Sequence, residues 1–224
     1  MKENEGQTWM PENWSFKDAK VAAHFENHVR EQLPWYDLTT KAVEHIARHY
    51  IPVGGVVYDI GASTGNIGKV LAPVLEERKA SLISIEESQE MAAIWKGPGE
   101  LKISDAVNYD FEMFDFAVLF LVLMFIPITK RKAFILKLHS LIKPGGAIVI
   151  VDKINTPPGY SGTVMRRMAM RWKLDSGTPE NEIVRKELSL AGAQRPLDEG
   201  ILFPYAQKWF QFGEFAGWIL ERGE

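Results

Sequence analysis

Two carboxylates and a glycine loop carry the spacing of a nucleotide-type binding site. Asp59 lies in a short apolar segment, and Gly61 and Gly65 lie in the loop that follows it. Glu86 ends the next apolar segment, residues 81–86, about 20 residues beyond the glycine loop. A carboxylate at that distance accepts hydrogen bonds from ribose hydroxyls, and one before the loop attracts a cationic amine. The pattern therefore predicts a site for a nucleotide-like ligand.

The elements that must position these residues follow the order of a parallel α/β sheet. Five apolar segments of strand length are predicted as strands at residues 56–59, 81–86, 101–106, 114–121 and 147–151. The fourth segment is apolar on both faces, as a central parallel strand must be. The proline and paired glycines at residues 144–146 end a helix and introduce the fifth strand. Two aromatic segments, residues 208–212 and 215–220, predict an antiparallel pair at the edge of the sheet.

Helical patterns lie on either side of these strands. Residues 16–33 place Val21, Phe25 and Val29 at helical spacing. Asp37 is suited to cap a second helix that runs to about Tyr50. Residues 162–190 predict a helical insertion after the fifth strand. The first two helices are expected to cover the cleft, and the insertion is expected to form an acceptor site.

The glycine loop resembles the Asp-x-Gly-x-Gly-x-Gly loop of class I S-adenosylmethionine (SAM)-dependent methyltransferases, with Ser63 at the middle glycine. Its spacing does not fit the Gly-x-Gly-x-x-Gly loop of dinucleotide-binding domains. The resemblance implies an α/β, Rossmann-like fold with a seven-stranded, mostly parallel sheet, helices on both faces and an N-terminal helical cover. It also implies SAM as the cofactor and in-line displacement at the sulfonium, with a methyl acceptor that the sequence does not identify.

A narrower resemblance covers most of the chain. Residues 14–220 are similar to the carboxy-S-adenosylmethionine (carboxy-SAM) synthase family. The matching segments are residues 22–30, 33–36, 57–63, 85–88, 141–146 and 209–211. The resemblance implies an enzyme that converts SAM and prephenate into carboxy-SAM for wobble-uridine modification in tRNA. It also suggests a homodimer contact in the helical insertion.

The same resemblances imply a set of cofactor-binding residues. Asp59 and the glycine loop would hold the methionine end, Glu86 and Glu87 the ribose, and Asp105 and Ala106 the adenine. Tyr36 would close over the cofactor from the cover. The complete predicted set is Tyr36, Asp59, Gly61, Ala62, Ser63, Gly65, Glu86, Glu87, Asp105, Ala106 and Phe120.

Two departures from the carboxy-SAM synthase pattern leave three functions open. Phe120 stands where the family has an asparagine near the sulfonium, and Glu187 stands where an arginine holds the extra carboxylate. A one-residue shift would bring Lys186, which follows Arg185, to that place. Methyl transfer to an unidentified acceptor is the leading prediction. The alternatives are carboxy-SAM synthesis and a non-catalytic SAM-binding partner protein, and no catalytic residue is assigned.

Composition limits which other kinds of protein and site this chain can form. The chain of 224 residues has 46% hydrophobic residues, a net charge of −3 and no cysteine. This charge gives no general attraction to nucleic acid, and the missing thiols exclude disulfides and thiolate metal sites. No apolar run reaches the roughly 18 residues of a membrane span, and a cytoplasmic protein is expected. We expect a flexible N-terminus at residues 1–13 and one domain over 14–224, with the cover at 14–52 and the insertion at 158–200.

Other local patterns have ordinary structural explanations. The pairs His24/His28 and His45/His49 have the i,i+4 spacing of zinc ligands, but no third ligand is evident, and no metal is predicted. Exposed helix histidines explain them better, although either pair could supply a base above the site. Residues 165–173 are basic and rich in methionine. They predict an amphipathic helix or a substrate lid.

Overall fold

The computed structural model describes residues 14–202, 204 and 206–223. The predicted flexible segment, residues 1–13, lies outside the described residues. The strands are β1 Val56–Ile60, β2 Ser81–Glu86, β3 Glu100–Ile103, β4 Phe114–Phe120, β5 Ile142–Lys153, β6 Ala206–Phe212 and β7 Phe215–Glu221. The helices are α1 Ala19–Gln32, α2 Tyr36–Tyr50, α3 Asn66–Arg78, α4 Gln89–Ala93, α5 Ile128–Leu141, α6 Tyr160–Asp175 and α7 Glu180–Ser189.

Over the described residues, the strands form one seven-stranded sheet in the order β3-β2-β1-β4-β5-β7-β6. The first five strands run parallel, and β7 runs antiparallel to both of its neighbours. The predicted class I methyltransferase sheet is confirmed. The strand order reverses between β1 and β4, and ligands of open α/β sheets bind at the carboxyl ends of the strands beside such a reversal.

Alternating side chains along the central strands bury both faces of the sheet. Tyr58 and Ile60 pack on one face with Phe134 and Leu138 of α5. Val57 packs on the opposite face with residues of α2 and α3. Every residue of β4 is buried. A strand without a polar face has to lie in the centre of the sheet, which brings its carboxyl end to the reversal point.

Strand β5 begins earlier than the sequence pattern predicts, at Ile142 rather than residue 147. The register between β4 and β5 shifts from Phe114 opposite Ile142 to Phe116 opposite Ala147. The Pro-Gly-Gly segment therefore forms an irregular part of an extended strand and not only a turn. Gly146 is required there because a Cβ atom would lie 2.5 Å from the Asp115 carbonyl oxygen.

The two cover helices are present, but Asp37 does not cap the second. Helix α2 already begins at Tyr36, and Trp35, the N-cap residue before it, makes no side-chain capping bond. Asp37 instead accepts a hydrogen bond from Arg30 Nε at 2.9 Å. The predicted role of Asp37 as a cap was wrong because an ion pair with α1 uses its carboxylate.

The insertion consists of two helices where the sequence predicts one helical stretch. Helices α6 and α7 are separated by residues 176–179, and Gly177 has a φ of +89°. Pro179 precedes α7, so the chain turns sharply between the two. In the part of the chain that the structure describes, no helix is long and apolar enough to span a membrane.

Candidate active site

A cavity of about 440 Å³ lies at the carboxyl ends of β1, β2 and β4. Residues 14–17 and helix α1 form its cover, and helices α6 and α7 form its far wall. Nine of the predicted cofactor-binding residues line this cavity: Tyr36, Gly61, Ala62, Ser63, Glu86, Glu87, Asp105, Ala106 and Phe120. Asp59 and Gly65 are not part of the lining. Residues that are distant in sequence therefore meet around one ligand-sized space.

The loop after β1 presents its backbone to the cavity. The N–H groups of Gly61 and Ala62 both donate to the Ile85 carbonyl, at 2.8 and 2.9 Å, which ties the loop to β2. Gly61 has a φ of +76°, and a Cβ atom there would lie 2.6 Å from Val122 Cγ2. Ser63 has a φ of +50°, which is unusual for a residue with a side chain. Such strained backbone is concentrated at functional sites.

Gly65 serves packing rather than contact with the cavity. It has a φ of +89° at the start of α3, and a Cβ atom would lie 2.5 Å from the Gly97 backbone nitrogen. The backbone of Gly65 therefore makes its close approach to the Gly97 backbone and not to a ligand in the cavity.

Glu86 is the best-anchored carboxylate in the cavity. Its Oε2 accepts a hydrogen bond from the Ser63 N–H at 2.7 Å, and its Oε1 accepts one from the Ser88 N–H at 2.8 Å. Burial raises the pKa of Glu86, although the N–H groups of Ser88, Ser63 and Glu87 oppose the shift. The side chain thus joins the glycine loop to the end of β2. A carboxylate has about four lone-pair positions, so it can also accept bonds from a diol.

Asp59 lies behind the loop, fully enclosed. The residue is 1% exposed, and its Oδ2 has no hydrogen-bond partner among the described residues. Burial raises the pKa of Asp59 to about 7, the Gly68 N–H opposes this, and the charge of Glu86 adds to it. A buried carboxylate with an unpartnered oxygen attracts a cationic amine.

The loop after β3 carries the predicted adenine-edge residues. Strand β3 ends at Ile103, so Asp105 lies in the loop and not at the end of the strand. Asp105 Oδ1 accepts from the Val107 N–H at 2.9 Å, and Oδ2 accepts from Asn108 Nδ2 at 2.6 Å. These bonds hold the carboxylate at the cavity wall.

Tyr36 and Phe120 meet above the glycine loop. Their rings are edge-to-face with centroids 5.4 Å apart. Asn66 Nδ2 donates to the Tyr36 hydroxyl at 3.3 Å. Burial raises the pKa of Tyr36 to about 12, so this hydroxyl stays protonated. Trp35 packs on Phe120 from the other side, at 6.3 Å between centroids, and the group forms an apolar wall.

Polar contacts hold the cover to the loops of the sheet. Glu26 of α1 accepts from Thr64 Oγ1 and pairs with Lys69, each at 2.8 Å. At the start of the cover, Ser88 Oγ donates to the Phe16 carbonyl at 2.6 Å. The cover is therefore fastened directly to the glycine loop and to the helix that follows it.

The far end of the cavity contains three lysines from different elements. Lys173 Nζ lies 2.8 Å from Glu187 Oε1, and Lys153 Nζ lies 3.6 Å from Glu214 Oε2. Lys186 Nζ is in hydrogen-bond contact with His28 Nε2. The sequence drew attention to Lys186 and, within the basic methionine-rich segment 165–173, to Lys173, but not to Lys153. The sequence signal at Lys153 is its position just after the predicted fifth strand.

Glu187 is neutralised within this group. Burial alone would raise the pKa of Glu187, but Lys173, Lys153 and Lys186 outweigh that effect, and the pKa is lowered. The expected repulsion between Glu187 and a bound carboxylate is therefore reduced by its ion pair with Lys173. Lys186 lines the cavity, whereas Arg185 does not.

The remaining sequence patterns divide between the site and the surface. His28 lines the cavity, whereas His24, His45 and His49 are exposed. No cluster of three or more residues suited to hold a metal ion is found among the described residues. In the basic methionine-rich segment, Ala169, Trp172 and Lys173 line the cavity.

Comparisons with known proteins agree with this architecture. A family described as a methyltransferase domain matches residues 58–150. The carboxy-S-adenosyl-L-methionine synthase of Staphylococcus epidermidis is 29% identical over 222 residues, which covers 93% of this chain and 97% of that protein. The synthase of Shewanella denitrificans is 26% identical, with 90% of each chain covered.

A solved structure supports the fold independently of sequence. The plantazolicin methyltransferase BpumL, in complex with S-adenosylhomocysteine (SAH), aligns with a TM-score of 0.62 and 12% identity. The alignment covers 91% of this chain and 89% of that one. The chain therefore has the fold of class I methyltransferases, it matches a methyltransferase domain over residues 58–150, and carboxy-SAM synthases are among its relatives.

Proposed function

We propose that this protein binds SAM and transfers its methyl group to an acceptor that enters beside helices α6 and α7. The observation that carries the proposal is the convergence of the glycine loop, Glu86 and the Asp105 loop in one cavity. A lone glycine loop is common to many α/β folds. Its combination with one carboxylate at the end of β2 and another in the loop after β3 fits an adenosine with a charged tail.

The residues present fit each part of this cofactor. Gly61 lines the cavity with its backbone, where a Cβ atom would clash with Val122, and Ser63 is held against Glu86. Glu86 would accept the ribose hydroxyls, and Asp105 would accept from the adenine amine. Asp59 does not line the cavity, so its carboxylate would act on the methionine amine through its charge across the loop and not by direct contact. When bound, SAM supplies an electrophilic methyl group on a sulfonium.

The protein's own contribution is positioning and exclusion of water. Tyr36 and Phe120 form an apolar wall beside the loop, and both are at most 9% exposed. The cover closes this side through Glu26. Holding two reactants in one dry cavity removes much of the entropy cost of bringing them together.

The first test is to identify the small molecules released when the freshly purified protein is denatured, by mass spectrometry. SAM or SAH in the extract would support the proposal, and calorimetric titration would then give both affinities. A protein that is purified empty and ignores added SAM and SAH would refute it. Methyl transfer is then sought by following SAH formation with pools of candidate acceptors.

A second function, carboxy-SAM synthesis from SAM and prephenate, is favoured by one observation. Lys153, Lys173 and Lys186 reach the cavity from three elements, and a carboxylate-bearing substrate needs such cations. Carboxy-SAM in the extract, or its formation from SAM and prephenate, would establish this function. A Lys173→Met and Lys186→Met double variant that forms carboxy-SAM at the wild-type rate would remove the role of these lysines.

If carboxy-SAM is the product, wobble-uridine modification in tRNA is the pathway that it would serve. A homodimer through the insertion also stays a prediction. Tyr160, Val184 and Leu188 expose apolar side chains there. Sedimentation of the purified chain would measure its oligomeric state.

A further inference from the structure

Lys186 is an amine in an unusual environment at the far end of the cavity. It projects from α7, and its Nζ contacts His28 Nε2 and lies 5.0 Å from the centre of the Trp14 ring. Within the described ranges, no Asp or Glu forms an ion pair with Lys186, whereas Lys153 and Lys173 each have a glutamate partner. The amine therefore has an imidazole and an indole as its close neighbours.

The charges around Lys186 favour its neutral form. Burial, followed by the ammonium groups of Lys173 and Lys153, lowers the pKa of Lys186 to about 7, with Glu187 opposing. Burial, followed by the positive charges of Lys186 and Lys173, lowers the pKa of His28 to about 3. His28 is thus a neutral imidazole whose Nε2 accepts an N–H bond from the amine. A substantial fraction of Lys186 carries a free lone pair near neutral pH.

We propose that Lys186 is a nucleophile that captures a carbonyl compound bearing a carboxylate, such as a 2-oxo acid, as an imine. An amine that is kept neutral beside other cations adds readily to carbonyl carbon. This activity goes beyond the proposed methyl transfer and does not depend on it.

The reaction is a condensation that needs no oxidant or reductant. The Nζ lone pair attacks the carbonyl carbon, and a C–N bond forms. The carbonyl oxygen leaves as water together with the two amine protons, and a C=N bond remains. Solvent water takes the proton released on addition and supplies the one that leaves with the hydroxyl, while His28 Nε2 accepts a hydrogen bond from the amine and orients it.

The charges also select the class of carbonyl compound. Glu187 is already paired with Lys173, and Glu214 with Lys153, so neither carboxylate is available to balance the positive charge of a protonated imine. A carboxylate on the ligand would supply it, within reach of the same ammonium groups. A neutral ketone lacks that compensation and is expected to react less.

The experiment is reductive trapping on the full chain. The purified protein is incubated with pyruvate and sodium cyanoborohydride at about pH 7.5, and the adduct is located by intact mass and peptide mapping. At that pH an ordinary lysine is neutral in about one molecule in a thousand, so adduct at Lys186 should exceed that at any other lysine by at least about tenfold. Pyruvate should also be trapped more efficiently than acetone.

Variants separate the nucleophile from its surroundings. Lys186→Met should abolish the dominant adduct, and Lys173→Met should reduce trapping of pyruvate more than trapping of acetone. Lys17→Arg is the matched control, because Lys17 lines the cavity mouth but is 66% exposed and paired with Glu87. Its adduct level should equal that of the wild type.

Adduct spread evenly over surface lysines, or unchanged in Lys186→Met, would overturn the inference. SAM binding by each variant is measured separately by calorimetry. A wild-type protein that forms the Lys186 adduct but binds no SAM would refute the proposed function and support this inference.

Discussion

Replacing Glu86 with glutamine tests whether this carboxylate organises the cofactor site. The wild-type carboxylate accepts two backbone N–H bonds, at 2.7 Å from Ser63 and 2.8 Å from Ser88. Glutamine has almost the same shape but only one acceptor oxygen. Its NH₂ group would face one of these N–H donors.

The expected loss of affinity follows from the proposed bonds between the ribose hydroxyls and the carboxylate. A hydrogen bond to a charged group contributes about 1.5–3 kcal/mol, and Glu86→Gln would remove the charge and one acceptor from the ribose. Each 1.4 kcal/mol is a factor of ten, so the Kd for SAM should rise by about 10- to 100-fold. The Ser63 loop should also be less ordered without ligand, which lowers the Tm of the free protein.

Calorimetric titration with SAM and with SAH measures this effect, and thermal unfolding without ligand measures the structural part. Glu76→Gln is the matched control, since it makes the same chemical change at an exposed position of α3. A Kd for Glu86→Gln equal to that for Glu76→Gln would refute the assignment of Glu86 to the cofactor.

Three further predictions concern the frame of the site. Gly61→Ala should cost about 1–3 kcal/mol in urea unfolding, because its Cβ would lie 2.6 Å from Val122 Cγ2, and adding Val122→Ala should recover part of the loss. Burial raises the pKa of Asp59 to about 7, so the native state holds a proton that the unfolded chain releases, and stability falls as pH rises from about 4 to 7. Asp59→Asn has no such proton to lose, so its stability should not show this fall. The difference in Tm between ligand-free Asp59→Asn and the ligand-free wild type should therefore increase from about pH 5 to about pH 8, and a constant difference would contradict this. Arg131 donates to the carbonyls of Met124, Ile126, Arg195 and Pro196, so Arg131→Lys should lose about 2–4 kcal/mol of unfolding free energy, measured in urea; stability equal to wild type would show that these bonds contribute nothing net.

The strands of the sheet could be predicted because their signals are local. Strand β2 has the predicted bounds, and β1 and β4 differ from prediction by at most one residue at an end. Each is rich in apolar residues and mostly buried, and a segment buried on both faces of a sheet has few alternative structures. The start of β5 was missed since proline and glycine usually break strands, and only the pairing with β4 shows that they extend this one.

The far end of the cavity could not be predicted because it depends on tertiary contacts. Lys153, Lys173 and Lys186 are separated in sequence, and no spacing rule joins a strand end to two helices of an insertion. Asp59 shows a related limit. Its place before the glycine loop was clear from sequence, but its separation from the cavity follows from the packing of α3 against β1. The roles assigned to these residues in binding stay predictions.

The fastening of helix α1 has a kinetic consequence. Glu26 joins the cover to Thr64 and Lys69, and the cover forms one wall of the cavity. A ligand that leaves past α1 does so only after these contacts separate, so its residence time along that route depends on the opening rate of the helix as well as on its own affinity. Two ligands of very different affinity would then dissociate at similar rates if opening is the slow step. Washing during purification would remove neither quickly.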